Sequence, residues 1–151
     1  MDSTKPTAAK TLPSASGNVH FEELRLQIDK LSERELDALP VGMIQLDRDG
    51  KILRFNRSEG ELARRDPKAQ LGRSFFDDVA PCTKVQAFYG KFQEGLAAKK
   101  LYETFVYKFR FPWGDSDVAV TLFYSQATDS VWVLVSRHAD AVAAATAQGK
   151  K

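Results

Sequence analysis

Cys82 is the single thiol of the 151-residue chain. It stands in the run Val79-Ala80-Pro81-Cys82-Thr83, just ahead of the longest predicted helix. A thiol at a helix N-terminus feels the positive end of the dipole, which favours thiolate, the form that attacks activated acyl groups. The same residue type also serves simply as a small buried hydrophobe. Glu59 falls in a short predicted helix after the second strand, where an exposed acid in a first helical turn is the ordinary reading. Phe55, closing that strand, reads on its own only as core. The two histidines, His20 and His138, lie near opposite ends of the folded region. With no cysteine or carboxylate cluster at ligand spacing, they argue against a metal site. Arg64, Arg65 and Lys68 form a small basic patch that reads as a solvated loop. Neither a phosphate-cradling GxxxxGK[ST] nor a nucleophile elbow GxSxG is present.

These residues need elements to position them. Phe21, Leu24, Ile28 and Leu31 follow helical spacing, and Ser32 with Glu35 is a capping box that starts a second short helix carrying Leu36 and Leu39. Pro40 stops it. Helices this short must pack on something, so residues 21–39 are expected to form a cap laid across the main domain, a dimerisation helix being the rival reading. VGMIQL and KILRF flank Asp47-Arg48-Asp49-Gly50, a hairpin with Asp-Gly at its turn. Asn56 or Ser58 caps the short helix of Glu59. Asp66-Pro67 and Gly72 bracket another turn or two of helix. Thr83 is expected to cap a longer helix bearing Phe88, Phe92 and Leu96 on one face. Phe105, Tyr107, Phe109 and Phe111 alternate with polar or smaller residues along a half-buried strand. Trp113-Gly114-Asp115 reads as a turn, Val118, Val120 and Leu122 as the next strand, Thr128-Asp129 as a turn, and VWVLVSR as a central last strand. The order predicts an α+β domain with one antiparallel sheet of five strands and helices over one face.

Composition narrows the class. Hydrophobic residues make up 43% and charged residues 28%, with ten Phe, four Tyr and two Trp for a core. The net charge of +2, 22 basic against 20 acidic residues, is too balanced for a dedicated nucleic-acid or membrane binder. One cysteine excludes an internal disulfide framework. No apolar run reaches the ~20 residues of a membrane span, and MDSTKPTAAK lacks a signal-peptide core. A cytoplasmic location is expected. Residues 1–20 are expected to be a disordered leader, 21–138 the folded domain with its core at 41–138, and 139–151 a flexible tail.

The stretch FNRSEGELARRDPKAQLGRSFFDDVAPCTKVQAFYGKFQEGL resembles the photoactive yellow protein family, most specifically in FFDDVAPCT, FYGKF and RDPK. The resemblance runs from about Leu31 to His138 and implies the PAS fold. It implies p-coumaric acid (4-hydroxycinnamic acid) held as a thioester on Cys82. Glu59 matches the buried acid that hydrogen-bonds the chromophore's phenolate, and Arg65 the arginine that covers the pocket. Phe75 and Phe109 match its walls, and Asn56 an asparagine tying the helical cap to the core. Three positions depart from the pattern. The family's tyrosine, a second phenolate donor, is Phe55 here. The threonine supporting it is Ala63. Trp113 stands where the family commonly has a methionine implicated in dark recovery. Phe55 and Ala63 belong together, since a threonine hydroxyl without its tyrosine partner would be left unsatisfied.

The resemblance implies a blue-light photoreceptor rather than an enzyme. Its signal would come from chromophore isomerisation, proton release by Glu59 and loosening of the cap toward an unidentified downstream protein, in a monomer or weak homodimer. The alternative that Phe55 and Ala63 motivate is a chromophore-free PAS module binding another ligand or a partner protein. A cysteine-dependent enzyme is disfavoured, as no histidine falls in a plausible triad neighbourhood.

Overall fold

The computed structural model describes residues 26–137. The expected leader and tail, both histidines and the first residues of the expected cap lie outside the described residues. Five strands form one antiparallel sheet: β1 (Gly42–Leu46), β2 (Ile52–Phe55), β3 (Tyr102–Phe111), β4 (Gly114–Ser125) and β5 (Ser130–Arg137). Their spatial order is β2-β1-β5-β4-β3. The last strand is therefore central, as its apolar run requires. Val131, Val133 and Val135 point to one face and Trp132 and Leu134 to the other, all buried.

The β1–β2 hairpin turns where Asp-Gly predicts. Asp47 Oδ1 accepts from the N–H groups of Asp49 (2.8 Å) and Lys51 (2.9 Å), and Gly50 takes φ +82°. That left-handed conformation favours glycine. On one face of the sheet lie the helices α2 (Arg57–Ala63), α3 (Pro67–Gln70) and α4 (Lys91–Ala98), with single turns, two wide and one tight, between α3 and α4. Phe75, Phe76, Phe88, Phe92 and Leu96 from this layer pack on Val118, Val120, Leu122, Val133 and Val135.

The opposite face carries the described part of the cap. It consists of a 3-10 turn (Ile28–Lys30) and α1 (Glu33–Asp37), whose Ser32–Glu35 capping box is formed in both directions. Ile28, Leu31, Leu36 and Leu39 cover Met43, Phe123, Trp132 and Leu134. Burial of each such side chain is worth about 1.5–3 kcal/mol. The carboxylate of Asp29 accepts from Trp132 Nε1 (2.9 Å), Thr128 Oγ1 (3.1 Å) and the Ser125 hydroxyl. Arg54 donates to Leu31 O at 2.6 Å. This part of the chain thus docks on its own sheet.

Two expectations are corrected. Thr83 does not cap a long helix. It is buried, and its hydroxyl donates to Ala80 O at 2.7 Å within a separate turn, Pro81–Thr83. The chain is extended at Val85, makes a wide turn over Gln86–Gly90, and α4 starts only at Lys91. The Thr83 side chain is turned back to the preceding turn, and no helix starts at Thr83 for it to cap. The β3–β4 turn is Pro112-Trp113, because Gly114 already pairs with Phe111 in β4.

Candidate functional site

Asn56 organises the acid-bearing helix. It is fully buried and sits at the N-cap of α2, where its Oδ1 accepts from Glu59 N (3.0 Å) and from Met43 N (2.9 Å). Its own N–H goes to Met43 O at 3.0 Å. The Asn56 N–H is therefore not available to close a capping box with Glu59. The Glu59 side chain turns inward instead and is 3% exposed. Its Oε1 is buried with no hydrogen-bond partner. Burial pushes its pKa from 4.5 up to about 8, which keeps the carboxyl protonated at neutral pH. Gly42 makes this placement possible, since a Cβ there would collide with Glu59 Oε1 and lie 3.2 Å from Glu59 Cα.

Glu59 lines a cavity of about 440 Å³, within the size range of small-molecule sites. Cys82 lines the same cavity and is half-buried. Tyr107 holds the turn that carries it, the phenol donating to Cys82 O at 2.5 Å. Cys82 lies in the Pro81–Thr83 turn and not at the start of α4. The expected help from that helix's dipole is thus absent, the effect being confined to the first turn.

Ala63, Arg65, Phe75, Phe109 and Trp113 also line the cavity. Phe75 and Phe109 are buried and supply its apolar floor. Arg65 donates to Gln70 Oε1 and to Val79 O, both at 3.2 Å, which fixes its guanidinium between α3 and the Phe75–Val79 turn. Phe55 is the exception. It is buried in the same core but is not among the cavity's lining residues. Gly42, Tyr107 and the contact of the Arg64 guanidinium with the Trp113 ring, 4.1 Å from its centre, escape sequence reading, because each depends on a contact between distant segments. No group of three or more His, Cys, Asp or Glu suited to hold a metal occurs among the described residues. None of the described helices is long and apolar enough to cross a membrane.

An orphaned protonated carboxyl and a thiol in one apolar-floored cavity fit an acyl group that bonds to sulfur and presents a buried polar atom to Glu59. Comparisons with known proteins give the fold and the family. The PAS fold model matches residues 30–137. A photoactive yellow protein from Halochromatium salexigens is 40% identical over 121 residues, covering 79% of this chain and 97% of that protein. The chain belongs to the photoactive yellow protein family. A second such protein, from Rhodothalassium salexigens, is 39% identical over 107 residues, 71% of this chain and 86% of the relative. The photoactive yellow protein domain of the sensor histidine kinase Ppr from Rhodospirillum centenum superposes with a TM-score of 0.72 at 39% identity. That match covers 75% of this chain and 99% of the domain. The PAS fold and the antiparallel sheet with helices are those expected from the family.

Proposed function

We propose that this member of the photoactive yellow protein family is a blue-light photoreceptor, not an enzyme, with p-coumaric acid thioester-linked to Cys82. The observation that carries the reading is Glu59, whose Oε1 is buried without a partner and which lines the same cavity as the chain's one thiol. Such an orphan is costly unless a ligand satisfies it. When bound, the p-coumaroyl group supplies a visible absorption band, an ionisable phenol and a double bond that light isomerises.

The protein's own residues supply the rest. Cys82 Sγ, as thiolate, bonds to an activated acyl carbon while the activating group leaves with its electron pair. Protonated Glu59 offers its O–H to a buried anionic oxygen, a charge-assisted hydrogen bond. Phe75 and Phe109 exclude water around it, and Arg65 closes the pocket from the α3 side. If Glu59 passes its proton to that anionic oxygen, a carboxylate is left in low dielectric at a cost of several kcal/mol. That is a large part of the ~5–15 kcal/mol that stabilises a domain. Asn56 connects this event to the cap. The side chain that accepts from Glu59 N also donates to Leu36 O (2.8 Å) and Val41 O (3.0 Å). Displacement of the start of α2 therefore pulls on α1. Loosening of residues 21–39 is the proposed output, read by a downstream protein in the cytoplasm, with neither nucleic acid nor membrane as partner, from a monomer or weak homodimer.

Illumination is expected to raise amide hydrogen exchange in residues 26–39 more than in β5. Equal protection in light and dark would defeat this output mechanism. Phe55 and Ala63 favour a second reading, a chromophore-free PAS module, because they remove a hydroxyl pair that the family uses at the phenolate. That reading requires no coloured product with an activated coumaroyl donor.

A further inference from the structure

A second cavity, of about 490 Å³, lies beside the first. Arg64, Phe111 and Trp113 line both. These three side chains form one stack. The Phe111 and Trp113 rings are 4.7 Å apart and 5° from parallel, and the Arg64 guanidinium sits 4.1 Å from the Trp113 ring centre. The stack joins two parts of the site. Arg64 is the residue on which α2, the helix of Glu59, ends, and Trp113 is in the turn of the β3–β4 hairpin that carries Phe109. Arg64 takes a left-handed conformation, φ 55° and ψ 49°. A non-glycine residue adopts that only at a cost, which its surroundings must offset. Trp113 remains 43% exposed, so the stack is held by its own contacts and not by burial in the core.

We propose that Arg64, Trp113 and Phe111 form a clasp that closes the Cys82–Glu59 cavity, and that its opening merges the two cavities and admits bulky planar molecules to Cys82. The clasp is built from a hairpin turn and a helix end, places that open at low free energy. Its strength is that of one partly exposed cation–π contact and one ring stack, which is small enough to break often and large enough to limit access. Trp113 and Arg64 are thus gating and positioning residues. The inference rests on the cavity being the acyl-binding pocket of the proposed function, but it can be tested in protein that carries no dye.

Cys82, the only thiol, is the probe. Its rate of reaction is measured with a small reagent, methyl methanethiosulfonate, and with a bulky aromatic disulfide, dithiobis(nitrobenzoate). The Arg64→Gly variant removes the guanidinium while relieving the left-handed backbone, so it retains its fold. Removal of one cation–π contact of this size should speed the bulky reagent about three-fold. Trp113→Ala removes both contacts and should speed it about ten-fold or more. Methyl methanethiosulfonate should react at nearly the same rate in all three proteins. Unchanged rates with the bulky reagent would overturn the clasp. Equal acceleration of both reagents would also overturn it, since that marks a general loosening of the fold. Failure of the protein to take up a dye would leave these thiol rates as they are, and unchanged thiol rates would leave dye attachment standing.

Discussion

Glu59→Gln isolates the energetic consequence of burying an acid at this site. In the folded protein, burial raises the Glu59 pKa from 4.5 to about 8. Below about pH 4.5 both folded and unfolded chains hold the proton, and the group costs nothing through ionisation. As pH rises past that point the unfolded chain releases its proton while the folded protein keeps it. Stability therefore falls with increasing pH. The loss levels off only once pH passes about 8 and the folded protein ionises too. At 1.36 kcal/mol per pH unit, the loss approaches about 5 kcal/mol, and is about 3 kcal/mol at about pH 7. Glutamine has similar shape and no proton to lose, so its variant should lack this pH dependence. The assay is urea denaturation of dye-free protein and its Glu59→Gln variant between about pH 5 and about pH 9. The variant's stability relative to the parent should rise steadily up to about pH 8 and level off above it, other titrating groups cancelling in the difference. A difference independent of pH would refute the argument, for it would mean that Glu59 is solvated or paired in the folded protein.

Two further outcomes follow, one from the site's geometry and one from the family resemblance. Asn56→Ala strands the N–H groups of Met43 and Glu59 and the carbonyls of Leu36 and Val41. It should cost about 3 kcal/mol or more, checked by chemical denaturation, with hydrogen exchange rising first in residues 26–39. On the proposed function, with Phe55 in place of the family's tyrosine, a bound phenolate would lack one donor worth about 1.5–3 kcal/mol. Phe55→Tyr paired with Ala63→Thr should then lower the dye's apparent pKa by about one to two units and move its visible band to the blue, as followed by acid titration of absorbance. An unchanged or higher pKa would mean that a hydroxyl at position 55, outside the cavity's lining residues, does not reach the dye, or that another group already serves as second donor.

Local rules carried the sequence reading of the fold a long way. The Ser32–Glu35 box, the Asp-Gly hairpin and the alternation along β3 each rest on interactions within a few residues, and each is present. The doubly apolar β5 could be placed at the centre because only a central strand buries both faces. The reading failed where local signals compete. Thr83 has the residue type of an N-cap, but its hydroxyl goes back to Ala80 O, so the helix begins later. The site was less legible. Cys82 and Glu59 are far apart in sequence, and spacing does not say that they share a cavity; the family resemblance supplied that link. Gly42, whose missing side chain leaves room for the Glu59 carboxyl, and Tyr107, which holds the Cys82 carbonyl, are defined only by tertiary approach. The Arg64–Trp113 contact likewise needs α2 and the β3–β4 hairpin to be in place. Phe55 shows the reverse case, a residue that resemblance assigns to the pocket and that lies buried in the same core without being among the cavity's lining residues.

Attachment of the dye is the central claim, and intact mass combined with an absorption spectrum tests it most directly. The full chain is co-expressed with an enzyme system that activates p-coumaric acid, alongside its Cys82→Ala variant. The account predicts a single adduct with the mass of one p-coumaric acid less one water, a visible band that bleaches under blue light and recovers in the dark, and base-labile linkage. The Cys82→Ala variant should be colourless and unmodified. An unmodified, colourless parent protein, or equal colour in the Cys82→Ala variant, would contradict the account.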